Sequence, residues 1–235
     1  MMKINSKKRK MSAAKMVQSQ GLGSRKDVVK GIHQGKLWIR GEIVNNPNTL
    51  FDLEDLHFRW DKKEFIYAEH LLIVMHKKLG EECSHQPQHH RSVFDRLPSH
   101  LIKRGVQAVG RLDVDTSGVL LFTDDGELNH KMCSPKYDKE KVYYLRCEQK
   151  LNEEAVKRLV EGVELRKEQK IFKAKSVELK GDGSLVLSIT EGKYHQVRRM
   201  IAAIGNKVIE LHRMKFAEYD CDGLKPGEWK ILYDF

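Results

Sequence analysis

Across residues 11–34 apolar positions recur at helical spacing. Residues 11–20 predict a short helix that Gly21 and Gly23 break, and Ser24 is a good N-cap for a second helix through about Gln34. Val28, Val29 and Ile32 share one face of that helix, and Gly35 ends it. Lys36-Leu37-Trp38-Ile39-Arg40 then alternates as a strand does, turns at Gly41-Glu42 and resumes at Ile43-Val44. Helix, helix and hairpin are the whole expectation for residues 11–68. Residues 1–10 are polar and basic and predict a flexible arm.

From residue 69 the pattern changes. Residues 71–75 and 119–123 read as buried strands, with residues 76–92, polar and rich in histidine, as a loop between them. Asp124-Asp125-Gly126 reads as a turn. Residues 140–148, 185–190, 208–213 and 229–232 are strand-like. Asn152 caps a predicted helix with Ala155, Val156, Leu159 and Val160 in one stripe, and Gly162 stops it. A last helix over 195–204 buries Val197, Met200, Ile201 and Ile204. Many strands with few intervening helices predict an α+β protein with a largely antiparallel sheet.

Composition narrows the partner. Lys plus Arg exceed Asp plus Glu by 43 to 33, giving a net charge of +10 and a pI near 9.3, which favours a polyanion such as nucleic acid. Residues 1–69 carry 14 basic against 8 acidic side chains, so +6 of the total sits there. No apolar run is long enough to span a bilayer. The four cysteines (83, 133, 147 and 221) lack paired spacing, which predicts free thiols and a cytoplasmic setting. Cys83, His85, His89 and His90 invite a zinc reading, but their spacing matches no common structural site, and a mobile loop that folds onto the nucleic-acid partner is expected instead.

The stretch richest in chemistry is Gly110-Arg111-Leu112-Asp113-Val114-Asp115-Thr116-Ser117-Gly118, followed by a buried strand. Its two carboxylates stand two apart beside an arginine. Spacing alone leaves three readings open: a divalent-metal ligand pair, a nucleophile or base with Arg111 nearby, or turn chemistry with solvent-facing acids.

Residues 110–126 are very similar to the signature of the RNA pseudouridine synthases. Two later stretches agree in order: Lys139-Glu140-Lys141-Val142-Tyr143, and Glu191-Gly192-Lys193-Tyr194-His195-Gln196-Val197-Arg198-Arg199-Met200. Leu211-His212-Arg213 resembles an element that closes the family's site. One departure is His76-Lys77-Lys78-Leu79-Gly80, where the family usually has Asn-Lys-Pro-x-Gly. The resemblance implies Asp113 as nucleophile, Asp115 as an orderer of its loop, Tyr143 against the target base, and Arg198 paired with Asp113. Arg111, His195, Gln196, Arg199, Leu211 and Arg213 would complete the substrate site. It implies isomerisation of a flipped-out uridine, with no cofactor and no metal, since nothing is oxidised or consumed.

Residues 12–60 resemble the S4 RNA-binding module, without its usual Arg-Leu-Asp-Lys opening. Ser24, Arg25, Lys26, Lys30 and Lys36 are the RNA contacts this implies. The expected organisation is therefore a basic arm (1–10), a small S4-like α/β module (11–68) and a pseudouridine synthase catalytic domain with a mixed, largely antiparallel sheet (69–235). The expected protein is a monomer acting on ribosomal RNA, within the family closest to the enzymes of small-subunit (16S) rRNA, either as free RNA or in an assembly intermediate. Large-subunit (23S) rRNA is the alternative substrate. From other classes, the competing readings are a non-catalytic RNA-binding assembly factor and a metal-dependent transferase using Asp113 and Asp115.

Overall fold

The computed structural model describes residues 10–165, 168 and 170–233. It divides into two compact units. One comprises the chain up to Leu71 together with Leu97–Val106; the other comprises Leu72–Arg96 and the chain from Gln107 onward. The basic arm expected over residues 1–10 lies, Lys10 apart, outside the described residues.

The first unit holds strand β1 (Lys10–Ser12), helices α1 (Ala13–Ser19) and α2 (Arg25–His33), and strands β2 (Leu37–Ile39) and β3 (Glu42–Ile43). Strands β4 (Leu50–Asp52), β5 (His57–Trp60) and β6 (Lys63–Ile66) and the short helix α3 (Ser99–Lys103) complete it. Ser24 caps α2, its hydroxyl accepting from the Asp27 amide at 3.2 Å. Arg40 and Gly41, both at positive φ, make the β2–β3 turn.

Two expectations for this segment fall short. Residues 11 and 12 belong to β1, which pairs with β4, rather than to the first helix. The hairpin is half of a four-stranded sheet ordered β3-β2-β5-β6. Ala13, Met16, Val17, Val28, Ile32, Leu37 and Phe58 form the buried centre.

The second unit is built on a nine-stranded sheet. Its elements are β7 (Leu72–Lys77), β8 (Glu81–Glu82), β9 (Arg91–Ser92), β10 (Gln107–Val109), β11 (Ser117–Thr123), α4 (Gly126–Cys133) and β12 (Lys141–Cys147). There follow α5 (Glu153–Glu161), β13 (Val163–Glu164), β14 (Ile171–Phe172), β15 (Ser176–Leu179), β16 (Leu185–Ile189), α6 (Gln196–Ala203), β17 (Val208–Phe216), β18 (Tyr219–Asp220) and β19 (Trp229–Leu232). The main path runs β15-β16-β12-β17-β11-β7-β19, with β10 on β11 and β18 on β17. Every pairing in this sheet is antiparallel except β11 with β17, so the α+β, largely antiparallel expectation holds.

Several local expectations are corrected here. Residues 76 and 77 continue β7, and the segment that follows is pinned by the short parallel pair β8–β9. The predicted turn at Asp125 is a helix start. Its carboxylate accepts from the amides of Glu127 at 2.8 Å and Leu128 at 3.1 Å and so caps α4. On α5 only Ala155 and Leu159 are buried, while Val160 is exposed. Among the described residues no helix is long and apolar enough to cross a membrane, and the four cysteines are unpaired.

The site depends on one close backbone approach. Gly118, at φ +111°, lies where an added Cβ would stand 2.2 Å from the Arg213 carbonyl oxygen. Only glycine lets β11 and β17 meet there.

Candidate active site

Asp113 sits in the loop between β10 and β11, and Lys77 holds that loop. The lysine is fully buried at the end of β7, and its Nζ donates to the carbonyls of Lys78 at 2.9 Å, Asp113 at 3.0 Å and Thr116 at 2.9 Å. Burial lowers the Lys77 pKa, while Cys83, Glu81, Asp113 and Asp115 oppose that shift. The Gly80 amide adds a bond to the Val114 carbonyl at 2.8 Å, and the Thr116 amide closes the turn on Asp113 O at 3.1 Å. Asp113 thus stands on a loop fixed through its backbone, with its carboxylate left to the site.

That carboxylate faces His195. His195 Nε2 lies 3.3 Å from Asp113 Oδ1. His195 is the N-cap of α6 in a left-handed conformation (φ 50°, ψ 32°), and its side chain caps nothing. Non-glycine residues in this region are uncommon and concentrate where a site needs a particular direction. Its ring stacks on Tyr194 at 3.8 Å.

Arg198 departs from its expected pairing with Asp113. Its Nη2 contacts Asp115 twice, the carboxylate at 2.9 Å and the carbonyl at 3.0 Å. One turn into α6, the guanidinium reaches the loop at Asp115 rather than at Asp113. Asp115 thereby gains the loop-ordering contact that the sequence suggested for it.

These groups border a cavity of about 300 Å³, within the range of small-ligand pockets. Residues 110–113, Thr116, Cys133, Lys141, Tyr143, Ile189, residues 192–198, Leu211, Arg213 and Phe216 line it. Of the residues singled out from the sequence, Arg111, Asp113, Tyr143, His195, Gln196, Arg198, Leu211 and Arg213 all meet here. Gln196 folds back, its Oε1 accepting from the Lys193 amide at 2.9 Å. Arg199 does not line the cavity; it pairs with Glu168 at 3.3 Å. Ser24, Arg25, Lys26, Lys30 and Lys36 belong to the other compact unit. There Ser24 serves the α2 cap, Lys36 pairs with Asp61 at 3.8 Å, and Arg25, Lys26 and Lys30 are exposed.

Two buried cations stand in the cavity wall. Arg213 is 2% exposed; its Nε donates to Val119 O at 2.9 Å, and its Nη2 has no partner among the described residues. Lys141 is also buried and bonds to the carbonyls of Lys139 at 2.8 Å and Thr190 at 3.1 Å. Both cations flank the Phe216 ring, Lys141 at 5.1 Å and Arg213 at 4.9 Å. Burial and the Arg213 charge bring the Lys141 pKa down to about 8. Cys133 is a second nucleophile type in the wall, but burial raises its thiol pKa and keeps it protonated.

The sequence reading missed Lys77, Lys141 and Phe216. Lys77 lies in a quoted stretch to which no role was given, and Lys141 in one where only Tyr143 had a role. Local contacts hold the residues of the histidine-rich loop. His85 stacks on Phe94 at 3.6 Å, and the amides of His89 and His90 bond the Glu82 carboxylate at 3.0 Å. Cys83 instead accepts from the Leu112 amide at 3.5 Å, so the four candidate zinc ligands do not converge.

A family profile described as RNA pseudouridylate synthase matches residues 71–203, the span that supplies most of this cavity. The chain belongs to the RNA pseudouridylate synthase family. Its relatives include ribosomal small subunit pseudouridine synthase A of Vibrio cholerae, 34% identical over 89% of this chain and 90% of that one. The protein of the same name from Salmonella typhimurium is 36% identical over 91% of this chain and 93% of that one. A solved pseudouridylate synthase superposes with a TM-score of 0.65 at 31% identity, covering 94% of this chain and 96% of the other. As a pseudouridylate synthase, the chain is an isomerase, and the candidate cavity lies in the nine-stranded unit.

Proposed function

We propose that the chain isomerises a uridine of small-subunit (16S) ribosomal RNA to pseudouridine, with Asp113 as nucleophile acting on a flipped-out base. The observation that carries this reading is the convergence of Asp113, Tyr143 and the buried Arg213 on one cavity. The names of the relatives supply the RNA class.

In the reaction the bond from ribose C1′ to uracil N1 breaks, the base turns, and C1′ joins C5. C5 loses its proton and N1 gains one, so atoms balance without a co-reactant. The Asp113 carboxylate supplies the nucleophile. Arg213 and Lys141, both buried, place positive charge in the cavity wall, where an anionic group is held more strongly than in bulk water. Tyr143 offers a ring on which a displaced base stacks and a phenol that can handle a ribose proton. Arg198 acts through Asp115, fixing the loop on which Asp113 stands. Unstacking a base costs a few kcal/mol, and phosphate contacts by the basic surface offset it. In this proposal Arg25, Lys26 and Lys30 of the S4-like segment grip RNA, the protein acts as a monomer in the cytoplasm, and the isomerisation itself draws on no cofactor.

The test is pseudouridine mapping of ribosomal RNA from cells lacking the gene, alone or complemented with wild-type or Asp113→Asn protein. One small-subunit site should vanish and return only with wild type. Loss of a large-subunit site would move the substrate, and an unchanged map in both RNAs would defeat the proposal.

A further inference from the structure

Strand alternation separates two faces of the sheet in the cavity's unit. Lys77 and Arg213 both register with Gly118 and share the face that carries the Asp113 loop. Their neighbours His76 and His212 therefore share the opposite face. There they meet Cys221, which follows β18. The candidate ligand atoms of His76, His212 and Cys221 all lie within 4.8 Å of one another. The two rings meet edge to face, 5.4 Å between centroids.

Each ring already commits one nitrogen to the protein. His76 Nδ1 lies 2.8 Å from the Leu224 carbonyl oxygen, which only accepts, so in the neutral ring Nδ1 carries the proton and Nε2 keeps the lone pair. His212 Nδ1 lies 2.9 Å from Ser117 Oγ. An imidazole oriented through Nδ1 by a carbonyl or hydroxyl is the usual outer support of a metal ligand. Cys221 is buried among Leu72, Val74 and Val119.

We propose that His76, His212 and Cys221 form a site for a borderline-soft divalent ion, Zn²⁺ above all, with two imidazole nitrogens, one thiolate and a fourth position for water. Binding replaces the thiol proton with the metal and releases that proton to solvent. The ion would tie β7 and β17 to the segment after β18, behind the two strands that carry Lys77 and Arg213. It takes no part in the isomerisation.

The experiment uses the full chain, reduced, stripped with a chelator and freed of it, then titrated with Co²⁺. One equivalent should produce a near-ultraviolet sulfur-to-cobalt charge-transfer band with tetrahedral visible bands, and Zn²⁺ should displace it. Cys221→Ala should lose the band. Ser117→Ala should weaken affinity about 10-fold by freeing His212 Nδ1. The triple variant His85→Ala, His89→Ala, His90→Ala should keep the band. Absence of the band in the wild type, or its persistence in Cys221→Ala, overturns the site, as does its loss in the loop variant. Where Cys221→Ala does not fold by circular dichroism, His76→Gln replaces it. A weakened, perturbed band there supports the site, and an unaltered one overturns it.

Discussion

Lys77 donates from its buried ammonium to the backbone carbonyl of Asp113 at 3.0 Å. The same nitrogen reaches Thr116 O and Lys78 O, so one side chain fixes both ends of the loop that presents the carboxylate. Lys77→Met removes all three bonds and leaves carbonyls without donors in a dry setting. We expect a loss of about 3 kcal/mol in denaturant unfolding. In the variant that remains folded, kcat should fall while KM stays close to wild type, because the lysine positions the Asp113 loop through its backbone. A KM rise with unchanged kcat would assign Lys77 to binding.

Asp113→Asn keeps the shape of the side chain and removes its charge. Turnover should drop by at least about 10⁴-fold, in line with the loss of other catalytic nucleophiles. RNA affinity, measured by filter binding, should stay nearly intact. Residual turnover within tenfold of wild type would remove Asp113 from the nucleophile's role.

Lys141 gives the site a pH dependence. Its pKa falls from 10.5 to about 8 on folding because burial and Arg213 disfavour the charged form. Between these values the unfolded chain binds the proton that the folded chain has released, so stability rises with pH across that window. The cavity meanwhile loses one positive charge as pH passes 8. The profile of kcat/KM should show a descending limb centred near pH 8, which Lys141→Met abolishes while lowering the plateau. A limb that persists in Lys141→Met belongs to another group.

Arg25, Lys26 and Lys30 are exposed on α2. Replacing all three with Gln should weaken RNA binding and reduce the slope of log affinity against log salt by roughly 2–3, at about 0.7–0.9 per phosphate contact. Side-chain replacement is preferable to deleting residues 1–68. Leu97–Val106 packs with that segment, and Arg104 bonds Gln20 Oε1 at 2.6 Å and the Ala68 carbonyl at 3.1 Å. An unchanged salt slope would move RNA recognition to the other unit.

The sequence by itself determined the local structure that short-range chemistry controls. Ser24, Asn152 and the glycines at 35 and 162 mark helix ends, because capping involves groups only a few residues apart. The apolar runs at 71–75 and 119–123 are buried strands, because their composition leaves no solvent face. The residues around Asp113, Tyr143 and Arg213 were legible as a set through their motifs. Tertiary structure alone decided what those residues touch. Arg198 turns to Asp115 and His195 to Asp113, because the left-handed turn at His195 sets where α6 begins. Short strands such as β4, β10 and β18 escaped notice, since two or three residues carry no periodicity and form only when a partner distant in sequence pairs with them. The same holds for Lys77 and for His76, His212 and Cys221. A lysine or histidine in a polar stretch looks solvent-facing, and only the register of β7, β11 and β17 places Lys77 beneath the Asp113 loop and brings the two rings to the thiol.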